Sequence, residues 1–141
     1  MSEGRVVGVD FGTKRVGIAV ADPLAMFAQP VGTFSPDEAI ARLRAIRDED
    51  GILTVVIGWP LSEDGRETES TRRVDQFVRR IRNAVGKVNV VRWDERYTSE
   101  EARDRLVGIG PIDVGRLDTA AAGIILQEYL DSRAAPDGEP D

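Results

Sequence analysis

The segment Val6-Val7-Gly8-Val9-Asp10-Phe11-Gly12 ends an apolar, β-branched run on a carboxylate. Such a run reads as a strand inside a sheet, where a charge at its end loses water on several sides. Burying an unpaired carboxylate costs several kcal/mol, so a chain keeps one where a cation compensates it. Glu95, just after another apolar strand, and Asp118, leading an apolar helix, are placed in the same way. Three carboxylates at element ends form a ligand set for a hard divalent ion. They also constrain the fold, because positions 10, 95 and 118 must then meet at one edge of a sheet. Each has a plainer reading taken singly: a strand-end acid bonds its own turn, and a helix-start acid is favoured by the helix dipole.

The residue inventory narrows the chemistry. Neither His nor Cys occurs in the 141 residues, which excludes a Ser-His-Asp triad, a Cys nucleophile and a Cys/His zinc site. Carboxylates with hard cations remain the best fit, and the expected chemistry is metal-dependent cleavage of a phosphodiester. The length suits one domain with a real core. The chain shows no signal-peptide pattern and no membrane-length apolar run, so a cytoplasmic location is expected. The net charge of −6 is unevenly spread. Residues 66–96 hold nine basic and five acidic side chains, net +4, whereas residues 131–141 are net −3. The local field governs phosphate binding more than the total does, and the Arg fork suits phosphate oxygens. An ordinary solvated helix face has the same composition.

Strands are expected at Arg5–Phe11 and Arg15–Ala21, joined by Gly12-Thr13-Lys14 with Gly supplying unusual dihedrals, and a third at Ala28–Phe34. Ser35-Pro36-Asp37-Glu38 opens a helix with a capping box, and Ile40, Leu43 and Ile46 form its apolar stripe. Ile52–Ile57 is a fourth strand, and Gly58 to Gly65 a loop. A long helix follows, with Val74, Phe77, Val78, Ile81 and Val85 on one side and most of the arginines on the other. Val88–Trp93 is the fifth strand, Thr98 with Glu101 caps a short helix, and Leu117–Leu130 is the last helix. The order βββαβαβα predicts an α/β fold: a mixed five-stranded sheet, an antiparallel meander followed by parallel strands, with helices on both faces. One domain is expected over residues 1–133, followed by an acidic, disordered tail at 134–141.

Four motifs occur in one order: Gly8-Val9-Asp10-Phe11-Gly12-Thr13-Lys14-Arg15-Val16-Gly17, the loop Gly58-x-Pro60 to Gly65, Asp94-Glu95-Arg96-x-Thr98, and Asp118-x-Ala120-Ala121 with Ile125-Leu126-Gln127-x-Tyr129-Leu130. Together they resemble the YqgF/RuvX family, described as Holliday-junction resolvases and as nucleases of the 16S ribosomal RNA precursor 5′ end. The resemblance implies an RNase H-like fold, a two-ion Mg²⁺ or Mn²⁺ site on Asp10, Glu95 and Asp118 as catalytic acids, and a nucleic-acid substrate, RNA favoured and DNA possible.

In that setting Lys14, Arg15, Arg96 and either or both of Arg72 and Arg73 are expected to hold the substrate strand. Trp59, and less so Trp93, are candidates for stacking on a base, and backbone N–H groups near Gly65 for binding phosphate. Whether Asp94 or Glu95 is the ligand is left to the resemblance, which favours Glu95. The family often carries a longer, lysine-rich stretch before Asp118; here Gly108 to Arg116 is short with one cation. The protein is expected to act as a monomer or homodimer, since symmetric junction cleavage needs two sites. Val9-Asp10-Phe11-Gly12-Thr13 also resembles a phosphate-binding motif of sugar kinases and actin-like ATPases, but those need two lobes and this chain has room for one.

Overall fold

The computed structural model describes residues 4–94 and 114–134, with the backbone alone described at 114–120 and 134. Five strands, β1 (Arg5–Phe11), β2 (Val16–Ala21), β3 (Ala28–Phe34), β4 (Ile52–Trp59) and β5 (Asn89–Asp94), form one sheet in the order β3-β2-β1-β4-β5. The β1–β2 and β2–β3 pairs are antiparallel; β1–β4 and β4–β5 are parallel. Helices α1 (Pro36–Asp50) and α2 (Glu69–Val85) cover one face, and α3 (Val114–Ala134) the other. The expected mixed sheet with helices on both faces is therefore present. Among the described residues no helix is long and apolar enough to cross a membrane. The expected Thr98 helix and the tail beyond Ala134 lie outside the described residues.

Strand alternation divides the core in two. Val7, Val9, Val16, Ile18, Val55 and Ile57 face α1 and α2, meeting Leu43, Val74, Phe77 and Ile81. Ala19, Ala21 and Val56 face α3, meeting Ala122, Ile125, Leu126 and Leu130. The side chains on the α3 side of β1 and β2 are small, so this helix lies very close to the sheet. A Cβ at Gly8 would stand 2.7 Å from the Leu126 Cβ and 2.8 Å from the Ala122 carbonyl oxygen.

Helix α1 begins as its sequence specifies: the Ser35 hydroxyl accepts from the Glu38 N–H at 3.2 Å, and the Glu38 carboxylate accepts from the Ser35 N–H. Ala39, Ile40 and Leu43 are buried, and Ile46 packs half-buried beside them. Two expectations change. Strand β4 runs on through Gly58 and Trp59, because these pair with Trp93 and Asp94 of β5; Pro60, which has no N–H to donate, follows directly. Gly12 does not have a positive φ. It is needed because a Cβ there would sit 2.8 Å from the Arg15 carbonyl oxygen, which accepts the Gly12 N–H in closing the turn. Helix α2 takes its cap from Thr68 and Thr71, a threonine pair in place of the usual acidic partner.

The β2–β3 connection is held from inside. The Asp22 carboxylate accepts N–H bonds from Phe27 (2.6 Å), Met26 (2.8 Å) and Leu24 (3.0 Å). Gln127 of α3 accepts the Ala28 N–H and donates to the Met26 carbonyl.

Two outcomes follow from this packing. Gly8→Ala should destabilise the protein by about 1–3 kcal/mol, the usual cost of overpacking, seen as a lower urea midpoint at unchanged m-value. The Phe27 N–H, foremost among the backbone donors, holds the Asp22 carboxyl below its ordinary 3.8. Its stabilisation is complete above that value and is lost as pH falls through the lowered folded pKa. In an NMR titration Asp22 should protonate below its ordinary 3.8, and Asp22→Ala should flatten the acid limb of the stability curve.

Candidate functional site

Asp10 is the next-to-last residue of β1, half-buried, and shares with Val6 and Gly8 the face that α3 covers. Its partner across β1–β2 is Gly17. On the other side the β1–β4 ladder pairs Val9 with Ile57, so the next position along β4 is Gly58. Neither neighbour of Asp10 across the sheet therefore carries a side chain. Gly17 and Gly58 are visible in the sequence, but that they flank one carboxylate emerges only from the register.

Helix α3 runs antiparallel to β1. Its Gln127 meets Ala28 at the start of β3, and Gly123 meets Pro30 two residues further on. Ala122 and Leu126 rest on Gly8. A four-residue helix step of about 6 Å matches a two-residue strand step of about 6.6 Å. One more turn back from Ala122 reaches position 118 on the same helix stripe, in the direction that leads from Gly8 to Asp10 along β1.

The choice between Asp94 and Glu95 can be examined from β5. Trp93 packs on the α3 face, where its indole N–H donates to Glu128 at 3.0 Å and its ring meets Tyr129 edge-on at 6.1 Å. Asp94 pairs with Trp59, whose side chain belongs to the α1/α2 core. Asp94 thus falls on the face opposite Asp10. Glu95 and Arg96 lie outside the described residues.

The cations separate clearly. Lys14 and Arg15 are exposed on the β1–β2 turn, next to the end of β1. Arg72 reaches Glu69 at 3.2 Å, Arg80 reaches Asp37 at 2.7 Å, Arg92 reaches Asp75 at 2.8 Å and Arg66 reaches Asp64 at 3.3 Å. Much of the basic segment is thereby neutralised. Arg73 instead borders a groove with Gly12, Thr13 and Pro60.

Other expected contacts are used up within the fold. Trp59 is buried, with the Arg92 guanidinium 5.1 Å from its ring centre, so it does not offer a stacking face. Trp93 is committed to Glu128 and Tyr129. The Gly65 N–H donates to the Ser62 carbonyl and the Arg66 N–H to the Ser62 hydroxyl, which leaves neither for a phosphate.

A family model described as "RuvX: Holliday junction resolvase" matches residues 4–132. The chain belongs to the RuvX family. A relative from Salinibacter ruber named "Putative pre-16S rRNA nuclease" is 58% identical, over 92% of this chain and 94% of its own. A relative of the same name from Chlorobaculum tepidum is 44% identical, over 94% and 97%. Among solved structures, Thermus thermophilus RuvC in complex with a Holliday-junction substrate matches with a TM-score of 0.54 at 16% identity, covering 94% of this chain and 96% of that one. At that identity the likeness concerns the fold, and it agrees with the RNase H-like architecture.

Proposed function

We propose that this RuvX-family chain is a divalent-metal-dependent nuclease that hydrolyses a phosphodiester near the 5′ end of precursor 16S ribosomal RNA, with Asp10, Glu95 and Asp118 as its metal ligands. The observation that carries the reading is the seating of α3 on Gly8, which directs position 118 toward Asp10 on one face of the sheet. The RNA assignment follows the names of the relatives.

The donor chemistry fits a hard cation. With no His or Cys in the chain, the anionic side-chain ligands on offer are carboxylate oxygens, and Mg²⁺ and Mn²⁺ both accept oxygen ligands. The glycines at 17 and 58 leave the carboxylate of Asp10 without a side chain beside it on either strand. Asp94, on the opposite face, is set aside in favour of Glu95. When bound, a pair of ions at such a site supplies an activated water and stabilises the oxygen leaving phosphorus. The protein's own part is to hold and orient. Asp10 is fixed by the paired backbone of β1, and Lys14 and Arg15 on the adjoining turn attract and position the substrate phosphate, as does Arg96. The reaction belongs to the cytoplasm, where ribosomal RNA is processed, and one protomer suffices for cutting a single strand.

The reading is tested by incubating labelled precursor RNA, single-stranded DNA and a four-way DNA junction in parallel with each metal. The RNA should be cut, and Asp10→Asn should slow cutting by at least about 100-fold, beyond the usual 10–100-fold of an outer-shell partner. Asp94→Asn should stay within about tenfold of the parent. Equal rates for Asp10→Asn and the parent overturn the assignment of Asp10, and cutting confined to the junction replaces the RNA reading with resolution of branched DNA.

A further inference from the structure

Beyond the carboxylate face, the opposite side of the same sheet edge carries a second feature. A groove of about 350 Å³ is lined by Phe11, Gly12, Thr13, Pro60, Ser70 and Arg73. A second hollow of about 310 Å³ shares Phe11, Thr13 and Arg73 and extends past Gln76 to Phe77 and Arg80. The two adjoin at these shared residues, forming a trough in which Arg73 borders both parts. It starts at the turn that follows Asp10: Thr13 is three residues on, at most about 10 Å of extended chain.

The trough's chemistry is that of a site for a sugar–phosphate chain. Arg80 is neutralised by Asp37, and Arg72, the adjacent arginine on α2, by Glu69. Among the described residues no ion pair engages Arg73, so it is the uncompensated cation of the trough. Thr13, Ser70 and Gln76 are exposed and bring hydroxyl and amide groups. Phe11, half-buried and packed on Phe77 at 4.7 Å, forms an apolar floor. The walls are β1, the Pro60 turn and α2, and the groove-facing part of α2 is fixed by its buried stripe Val74, Phe77, Val78 and Ile81.

We infer that this trough binds the backbone of the substrate RNA on a phosphate neighbouring the cleaved one, with Arg73 as the phosphate contact, so that the strand crosses the β1–β2 turn from the Asp10 face to the α2 face. The inference rests on the nuclease reading and adds to it a strand path and a binding residue. Arg73 is a binding residue here, remote from the reacting atoms.

The experiment measures binding in EDTA, where cleavage does not intervene, using a fluorescein-labelled single-stranded RNA and a DNA of the same sequence over a range of salt. Arg73→Ala should bind the RNA more weakly, with a log–log salt slope shallower by about 0.7, the value for one phosphate of a single strand. Arg73→Lys should recover that slope. Arg79→Ala, which removes an exposed cation of α2 that lines neither hollow, should keep the parent slope. In RNAs with one neutral methylphosphonate linkage at successive positions, a single linkage should weaken the parent and leave Arg73→Ala indifferent. A parent that binds while Arg73→Ala keeps its slope overturns the trough alone. Equal slope losses for Arg79→Ala and Arg73→Ala reduce the effect to general charge and also overturn it. A slope loss seen with DNA and absent with RNA overturns the RNA assignment of the trough. A parent that binds neither polymer overturns the nucleic-acid reading beneath it.

Discussion

Helix α3 touches the sheet backbone at Gly8, and the placement of the proposed site depends on that contact. An ordinary side chain at position 8 would hold the helix off, since the Ala122 carbonyl and the Leu126 Cβ already occupy the space a Cβ would need. The small residues Ala19 and Ala21 on β2 extend the same low surface toward β3, where Gln127 ties the helix to Met26 and Ala28. Direction and height of α3 are thus both fixed by features spread over three strands. The helix then continues past Ala122 toward the end of β1. The backbone at position 118 is thereby carried toward the end of β1 that bears Asp10, because two regular elements are seated on each other.

The two faces of the sheet are built differently. The α1/α2 side is filled with large β-branched and aromatic residues, from Val7 and Ile18 to Phe77 and Ile81, and supplies most of the buried apolar area. The α3 side has fewer and smaller buried groups, and at its C-terminal end it has glycines on both sides of Asp10. Stability is concentrated on one face, which leaves the other free to carry a carboxylate that a dense core would not tolerate.

Periodicity and capping made the strands, α1 and the overall order legible in the sequence, because each rests on local signals: β-branched runs, the Ser35–Glu38 box, the apolar stripes. What escaped was pairwise. The extension of β4 through Gly58 and Trp59 depends on β5 lying alongside, which no local pattern encodes. The role of Gly12 is a close approach to the Arg15 carbonyl, and a sequence does not distinguish that from a dihedral requirement. Trp59 looked available for stacking and is instead buried beneath Arg92, itself drawn to Asp75 on α2. Asp10 stood out because a lone charge in an apolar strand is a local anomaly. The face that Asp94 occupies became readable only when Trp93 was found on the α3 side; Glu95 lies outside the described residues.

The arginines carry the same lesson toward function. Counted along the chain, residues 66–96 are a basic segment. In the fold, Arg66, Arg72, Arg80 and Arg92 each meet a carboxylate, so a field that looks broad in the sequence contracts to a few free positions. Exposed ion pairs of this kind contribute little to stability, about 0–1 kcal/mol each. They also reduce those cations' attraction for phosphate; of the described cations without such a pair, Lys14, Arg15 and Arg73 are the ones that lie around the end of β1. A chain of net charge −6 has no net long-range attraction for a polyanion. On the proposed reading its affinity for one comes from a few cations at fixed positions, and those on the turn beside Asp10 and in the trough behind it mark the line a bound strand would follow.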